Sequence, residues 1–168
     1  LLRHAELLRL DIGIFVLHLI VTATFVVMPL ELARHFDSHG AGLAGIYFGV
    51  VAASFVLMVP CIIYAERFGK MKVIFVSAIG VLVLACGLLA PSVVGGISAL
   101  VFMVVFFTAF NVLEASLPSI VSKTAPAAMR GTALGIYSTA QFLGAFSGGV
   151  LAGWTHGEFG SAAVYYIA

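Results

Sequence analysis

The sequence has very little charge: Lys, Arg, Asp and Glu make up 9% of its 168 residues, against about 25% in an ordinary soluble domain. Hydrophobic residues make up 62%, so the surface could not be wetted by water, which excludes a soluble globular protein. The apolar residues form runs of about 20, the length that crosses a bilayer as a helix. None alternates strictly, as the strands of a membrane barrel do. The sequence therefore predicts an all-α membrane protein.

The few cysteines and histidines, and the lack of basic runs and catalytic motifs, argue against several functional classes. The two cysteines, Cys61 and Cys86, lie inside apolar runs and are interpreted as small packing residues. The histidines show no metal-ligand spacing, so we predict no metal site and no cofactor. The net charge is +1 without a basic run, which argues against nucleic acid as a partner. No HExxH, GxSxG or nucleophile–base pairing is present, so we predict that the chain is not an enzyme.

Six apolar runs are interpreted as membrane spans. Residues 1–10 precede them and alternate leucines with charges, which predicts a short amphipathic segment at the membrane surface. The chain begins without methionine and stops inside an apolar run, so we expect a fragment of a longer protein. The predicted spans are residues 12–33, 43–64, 73–90, 97–121 and 132–153, with a truncated sixth at 161–168.

The basic residues predict the orientation, since Lys and Arg accumulate in the cytoplasmic loops of membrane proteins. With the N-terminal end in the cytoplasm, only Arg34 lies outside. The segments that are then inside hold Arg3, Arg9, Arg67, Lys70, Lys72, Lys123 and Arg130. We therefore expect the N-terminal end of this chain to be cytoplasmic.

Glu114 is a lone acid inside the fourth apolar run. Its position nine residues before Lys123 puts it about 13 Å from the cytoplasmic end of a helix. An ionised carboxylate at that depth costs several kcal/mol, so it must be protonated, paired or exposed to water. Asn111 lies one turn earlier, and Pro118, one turn later, frees a backbone carbonyl. Glu114 with Asn111 is thus a candidate proton or substrate site, and the alternative is a neutral side chain that only fixes helix packing.

His18 is a second candidate titrating group, about 10 Å into the first span from Asp11. A neutral histidine satisfied by a hydrogen bond between helices explains the same pattern. The face of the helix that carries His18 could line an aqueous cavity. The predicted cavity-lining residues are Phe15, Thr22, Phe25, Phe107, Tyr137 and Gln141.

The fifth apolar run carries a ladder of glycines, at small-xxx-small spacing, which lets helix backbones approach closely. This pattern predicts tight helix packing and is compatible with a hinge. Its members are Gly131, Gly135, Gly144, Gly148 and Gly149.

Two stretches resemble the major facilitator superfamily, in particular its drug/proton antiporter branch. The turn ERFGKMK, with Glu66, Arg67, Gly69 and Lys70, resembles the cytoplasmic loop signature of the family, in the copy between helices eight and nine. The stretch FNVLEASLPSIVSK and the glycine-rich run after it resemble helices ten and eleven. The sequence departs from these motifs where Ala140 replaces a glycine, Ala145 a proline, and Ile62 the first glycine of the loop signature.

The resemblance implies a six-helix half-bundle of the major facilitator fold: helices seven to twelve, the last truncated, with residues 1–10 as the end of a central cytoplasmic linker. It also implies the C-terminal half of a proton-coupled exporter of drugs or small molecules in the bacterial inner membrane, working by alternating access. The expected partners are the N-terminal six-helix half, protons, a small-molecule substrate and the lipid bilayer. The alternative is a membrane-embedded sensor or assembly domain without transport, in which Glu114 is a packing group.

Overall fold

The computed structural model describes residues 4–36, 40–89 and 97–168. Every regular element in this part of the chain is helical, and a single 3₁₀ turn, Ala127–Met129, precedes the fifth helix. This confirms the predicted all-α architecture. The helices are α1 (Ala5–Phe36), α2 (Ala41–Arg67), α3 (Met71–Leu89), α4 (Ile97–Thr124), α5 (Arg130–Phe159) and α6 (Ser161–Ile167).

Two helices, α1 and α5, extend furthest beyond the sequence-based bounds. Residues 5–10 are the first turns of α1 and not a separate surface segment, because nothing breaks the helix there and Arg9 Nη1 bonds Glu6 Oε1 at 2.8 Å. At the other end of the chain, α5 continues through Trp154 to Phe159 and stops at Gly160, whose φ of 82° leaves the helical region. The predicted end of the third span at Pro91 lies outside the described residues.

Four of the described helices are long and apolar enough to cross a bilayer: residues 5–33 of α1, and all of α2, α3 and α4. At 30 residues α5 has the length, but its glycines and polar side chains keep it out of this group. It is instead held against α1, its most extensive helix contact in the bundle. The arrangement is that of a helical membrane protein.

The first helix is the centre of the bundle. It contacts α5 along its length and also meets α4, α6 and α2, whereas α2 and α3 pack mainly on α4. Ile14 and Met28 of α1, and Met103 and Phe106 of α4, are fully buried at this centre. The candidate polar residues of α1, α4 and α5 are therefore on helices that pack together.

The predicted loop between α2 and α3 is a tight turn. Gly69 adopts φ 63°, a left-handed conformation that favours glycine, and the Lys70 amide donates to the Ala65 carbonyl at 2.8 Å. The turn lies where α1, α3 and α5 begin and α2 and α4 end, which we call the basic end. Its cationic residues are Arg9, Arg67, Lys70, Lys72, Lys123 and Arg130.

Candidate functional site

Three polar side chains from three helices meet inside the bundle. The Gln141 amide nitrogen, on α5, donates to Glu114 Oε1, on α4, at 3.1 Å. The same nitrogen lies 2.9 Å from His18 Nε2, on α1. Glu114, His18 and Gln141 therefore form one hydrogen-bonded cluster, which we call the Glu–His–Gln cluster.

The geometry assigns the proton of the histidine. Because an amide nitrogen only donates, His18 Nε2 accepts in this arrangement, and the proton of the neutral ring is on Nδ1. That Nδ1 lies 3.8 Å from Glu114 Oε2, too far for a hydrogen bond. Neither atom has another hydrogen-bond partner among the described residues. A distance of 3.8 Å thus separates two groups that can each hold a proton.

The cluster is only partly covered by the chain. The side chain of Glu114 is 33% exposed and that of His18 is 15% exposed, while the Phe110 ring meets the His18 ring edge-on at a centroid distance of 5.7 Å. Pro118 adds a further acceptor nearby, because it has no N–H to give to the carbonyl of Glu114 four residues earlier. The facing atoms Glu114 Oε2 and His18 Nδ1 are themselves buried, so the exposure belongs to other atoms of these two side chains.

Two glycines of α5 bring the cluster together. A Cβ at Gly144 would overlap the backbone carbonyl of Phe15, and one at Gly148 would overlap that of Leu19. The register rises along both helices, so α1 and α5 run parallel with their backbones in contact. This close approach, as small residues permit between membrane helices, lets Gln141 reach across to His18.

The other predicted glycines differ from these two. A Cβ at Gly149 would make an ordinary contact of 3.7 Å with the Thr22 methyl group, whereas Gly131 and Gly135 have nothing within 4 Å. Tight packing is therefore confined to one half of the ladder. The glycines nearest the basic end, Gly131 and Gly135, make no close helix contact in the described part of the chain.

Asn111 lies apart from the cluster with which the sequence grouped it. Its amide donates to Ser54 Oγ on α2 at 3.0 Å, and Ser54, fully buried, donates in turn to the Val51 carbonyl at 2.7 Å. Asn111 thus ties α4 to α2. Sequence reasoning did not single out Ser54, although a lone hydroxyl in an apolar run is a signal for such a bond.

Two of the predicted cavity-lining aromatics, Phe25 and Phe107, form a separate group with Tyr47 towards the other end. Phe25 stacks on Tyr47 with ring centroids 6.0 Å apart and meets Phe107 at 5.5 Å. Phe25 stays exposed, whereas Phe107 is buried. Tyr137 is also buried, so these last two do not line an open surface of the described chain.

The cavities found among the described residues have other linings than the cluster. The largest cavity described, about 460 Å³, runs between α1, α3 and α4 and is almost wholly apolar, with Arg9 at the basic end. Val16 and Leu117 are among its walls, and none of the cluster's three residues is. The Glu–His–Gln cluster is therefore separate from this cavity.

Comparisons with known proteins agree with this architecture. The inner membrane transport protein YajR of Escherichia coli (strain K12) is 40% identical over 169 residues, covering 98% of this chain and 36% of YajR. An uncharacterized transporter of Buchnera aphidicola subsp. Baizongia pistaciae (strain Bp) is 28% identical over 154 residues, covering 91% of this chain and 39% of that protein. The chain thus spans little more than a third of these relatives. The family model of the Major Facilitator Superfamily matches residues 10–168, and the chain belongs to that superfamily.

Proposed function

We propose that the chain is the C-terminal half of a proton-coupled transporter of the bacterial inner membrane, which exports small molecules by alternating access. The observation that carries this proposal is the Glu–His–Gln cluster, where Glu114 and His18 face each other across 3.8 Å. An intramembrane acid is by default a functional group. The relative from Escherichia coli is named an inner membrane transport protein, which supports the same membrane and a non-enzymatic role.

The complete protein supplies a second half in this proposal. The chain covers 36% of its relative from Escherichia coli, which leaves room for an N-terminal six-helix bundle. Transporters of this superfamily place their sites at the interface of two such halves. The exposed side of Glu114 faces that interface, and the basic end faces the cytoplasm.

Protonation changes the hydrogen bonds that hold the cluster together. With Glu114 ionised and His18 neutral, both accept from the Gln141 amide nitrogen, as in the described arrangement. A protonated His18 Nε2 or Glu114 Oε1 becomes a donor and repels that nitrogen. When Glu114 Oε1 and His18 Nε2 both carry protons, Gln141 turns its amide and presents Oε1 to both donors, so this state and the described one require opposite amide orientations.

The protonation state of the cluster is thereby linked to the arrangement of α1, α4 and α5. Glu114 is on α4, while His18 and Gln141 are on α1 and α5, whose backbones are in contact. A change of hydrogen bonds therefore alters the relative stability of two arrangements of these three helices, which is the requirement for a ligand to shift a conformational equilibrium. Proton binding on one side of the membrane and release on the other would then drive export.

The cluster also fits a substrate with positive charge. An ionised Glu114 attracts a cation, whereas a protonated one does not, so proton and cation exclude each other at this carboxyl group. The exposed ring of Phe25, two turns beyond His18 on α1, adds an aromatic surface on which a cationic or planar compound can bind. Small amphipathic cations are the substrate class that follows.

The test replaces one carboxyl group in the complete transporter. The cationic dye ethidium is added outside everted membrane vesicles whose lumen is made acidic, so that export appears as uptake of the dye into the lumen, and its movement is followed by fluorescence. Glu114→Gln removes the ionisable group at constant shape, so we expect it to abolish acceleration by the gradient. Glu6→Gln, at an exposed acid of the same chain, is the matched control and should respond as the wild type does.

Two results would contradict the proposal. Unchanged coupling in Glu114→Gln would remove this residue from the mechanism. A wild-type protein that moves no ethidium and shows no proton binding assignable to Glu114 would favour a sensor or assembly role, in which the cluster only fixes helix packing.

A further inference from the structure

Two polar atoms of the Glu–His–Gln cluster face each other without a hydrogen bond. His18 Nδ1 and Glu114 Oε2 lie 3.8 Å apart, both are buried, and neither has a partner among the described residues. Buried polar groups left unpaired in a native protein call for an explanation. The same two side chains are bonded on their other sides to the Gln141 amide, at 2.9 Å and 3.1 Å. The described arrangement is therefore complete on the glutamine side and incomplete between His18 and Glu114.

Gln141 holds the cluster together as a double donor. Its amide nitrogen has two N–H groups, and these serve His18 Nε2 and Glu114 Oε1, which both accept. The ring is then neutral with its proton on Nδ1 and lies beside a carboxylate, so the cluster has a net negative charge. One added proton makes the pair neutral overall, and the geometry limits which atom takes it.

The two places for this proton differ in the rearrangement that each requires. On Glu114, a proton at Oε2 meets the Nδ1–H that faces it, and a proton at Oε1 meets the amide N–H of Gln141. A carboxylic acid therefore fits only after both the ring tautomer and the amide orientation have changed. On His18, a proton at Nε2 requires only that the amide turns and presents its oxygen, because Nδ1–H already faces a carboxylate oxygen.

Intrinsic proton affinity also favours the ring. The unperturbed pKa of histidine is about 6.5 and that of glutamate about 4.3, which is a difference of about a hundredfold in proton affinity. The imidazolium has two N–H donors, one towards Glu114 and one towards Gln141, and a charge-assisted bond to a carboxylate has a length of about 2.8 Å. Closing the distance of 3.8 Å by about 1 Å thus pairs both atoms that are unpaired in the described arrangement.

Few other ionisable residues lie near the imidazole ring. Within two turns of the cluster on α1, α4 and α5, the others are Asp11 and Tyr137. From the remaining helices that contact α1, Tyr47 and Tyr165 pack beside later turns of it. The three phenols stay neutral near pH 7, since a free tyrosine has a pKa of about 10, and Asp11 lies about 10 Å along α1 from the ring. Glu114, at 3.8 Å, is thus the charge that governs the protonation of the ring.

We propose that His18 holds the coupling proton as an imidazolium while Glu114 stays ionised, and that the imidazolium then replaces the Gln141 amide as the double donor at the centre of the cluster. The proton binds at Nε2 from solution, and no covalent bond of the protein breaks. The hydrogen bond between α4 and α5 is lost, one between α4 and α1 forms, and the one between α1 and α5 reverses its direction. A substrate cation and the imidazolium then compete for one carboxylate. This inference rests on the proposed function, because it says where the coupling proton is held.

The test observes the ring and the carboxyl group separately in the complete transporter, reconstituted in lipid vesicles. Nitrogen NMR of isotope-labelled histidine distinguishes the two neutral tautomers from the imidazolium, and the His18 signal is assigned by its loss in His18→Gln. Infrared difference spectra report any carboxylic acid that forms at Glu114. As the pH is lowered through the neutral range, we expect the His18 signal to change from the Nδ1–H tautomer to the imidazolium, without a carboxylic acid band that depends on Glu114.

Two variants of the cluster are expected to act in opposite directions. Glu114→Gln removes the counter-ion at constant shape and should lower the proton affinity of His18 by at least about tenfold, as the loss of an opposite charge at this distance does. Gln141→Leu removes two hydrogen bonds from the neutral form and one from the imidazolium, so it should raise this affinity about two- to tenfold. His156, about 22 Å further along α5 than Gln141 and bonded to Ser161 at 3.3 Å, is the internal control and should titrate alike in all three proteins.

The outcomes separate this inference from the function on which it rests. A carboxylic acid band that appears on acidification and is lost in Glu114→Gln, while His18 stays neutral, overturns the inference and leaves Glu114 as the proton site. An unchanged proton affinity of His18 in Glu114→Gln overturns it as well. So does an equal fall in Gln141→Leu, because any disruption of the cluster would then have the same effect. If neither group changes its protonation, the proton site and the inference both fall.

Discussion

Two helix pairs of this bundle use apolar sequence in opposite ways. The α1–α5 pair brings backbones into contact at Gly144 and Gly148 and holds two of the three residues of the Glu–His–Gln cluster. The α2–α3 pair is joined by a tight turn but makes few contacts along its length, and it presents large side chains outwards. Phe48 is 78% exposed and Leu84 is 67% exposed, as lipid-facing residues are.

The difference shows where polar groups are placed in such a protein. Lipid offers no hydrogen bonds, so a polar side chain is stable only where another helix supplies a partner. His18 and Gln141 meet at the closest helix contact of the bundle, whereas α2 and α3 leave an apolar cleft of about 220 Å³ against α4. The tight pair therefore holds the polar side chains His18 and Gln141, and the loose pair presents large apolar side chains outwards.

The largest expected effect comes from adding one methyl group to the tight pair. Gly148→Ala places a Cβ against the Leu19 backbone, which cannot yield as a flexible side chain would. We expect a loss of about 1–3 kcal/mol in the free energy of unfolding, measured by detergent denaturation of the complete transporter. Gly135→Ala, with nothing within 4 Å, gains the same helix propensity without the overlap and should lose no stability. Equal losses would mean that the two backbones are not in contact.

A smaller effect is expected from the bond that ties α4 to the loose pair. Asn111→Ala and Ser54→Ala each delete one side of the hydrogen bond of 3.0 Å between α4 and α2. A double-mutant cycle on the free energy of unfolding should give a coupling of about 0.6 kcal/mol, the average for such bonds between membrane helices. A coupling near zero would show that Asn111 is free to turn towards Glu114, as the sequence suggested.

The smallest effect is expected in the cleft of the loose pair. Ala78 is buried in the wall of this cleft, so the two methyl groups added by Ala78→Val extend into the cleft and should change the free energy of unfolding by less than about 1 kcal/mol. Ala152→Val is the matched control, because Ala152 is fully buried in a cluster with Val27 and Val164. There the same addition should cost about 1–3 kcal/mol. A large loss in Ala78→Val would contradict the contrast between the two pairs.

The helices themselves could be predicted because an apolar run has to be about as long as the bilayer is thick. The predicted start at residue 97 coincides with that of α4, and the predicted starts at 43 and 73 each fall two residues after the observed starts of α2 and α3. The ends were less predictable. Helical hydrogen bonds continue past the apolar run into residues such as Arg67 and Phe159, where hydropathy no longer signals a helix.

Hydropathy does not determine which neighbouring helix a polar side chain faces, and the candidate site depends on this. Asn111 and Glu114 are three residues apart and so differ by about 60° around the helix axis, which is enough for one to face α2 and the other α1 and α5. Gln141 was predicted only to line a cavity. Gln141 bridges His18 and Glu114 because α1 and α5 approach closely. The glycine spacing predicts a close helix contact but does not identify the helix on the other side of it.

The modest hydropathy of α5 has a consequence for how the protein is made. A segment so rich in glycine and hydroxyl groups gains little free energy from entering lipid alone. Its surface is complementary to α1, which leaves the ribosome more than a hundred residues earlier. We therefore expect an order of insertion: α1 enters the bilayer first, and α5 inserts by packing against it.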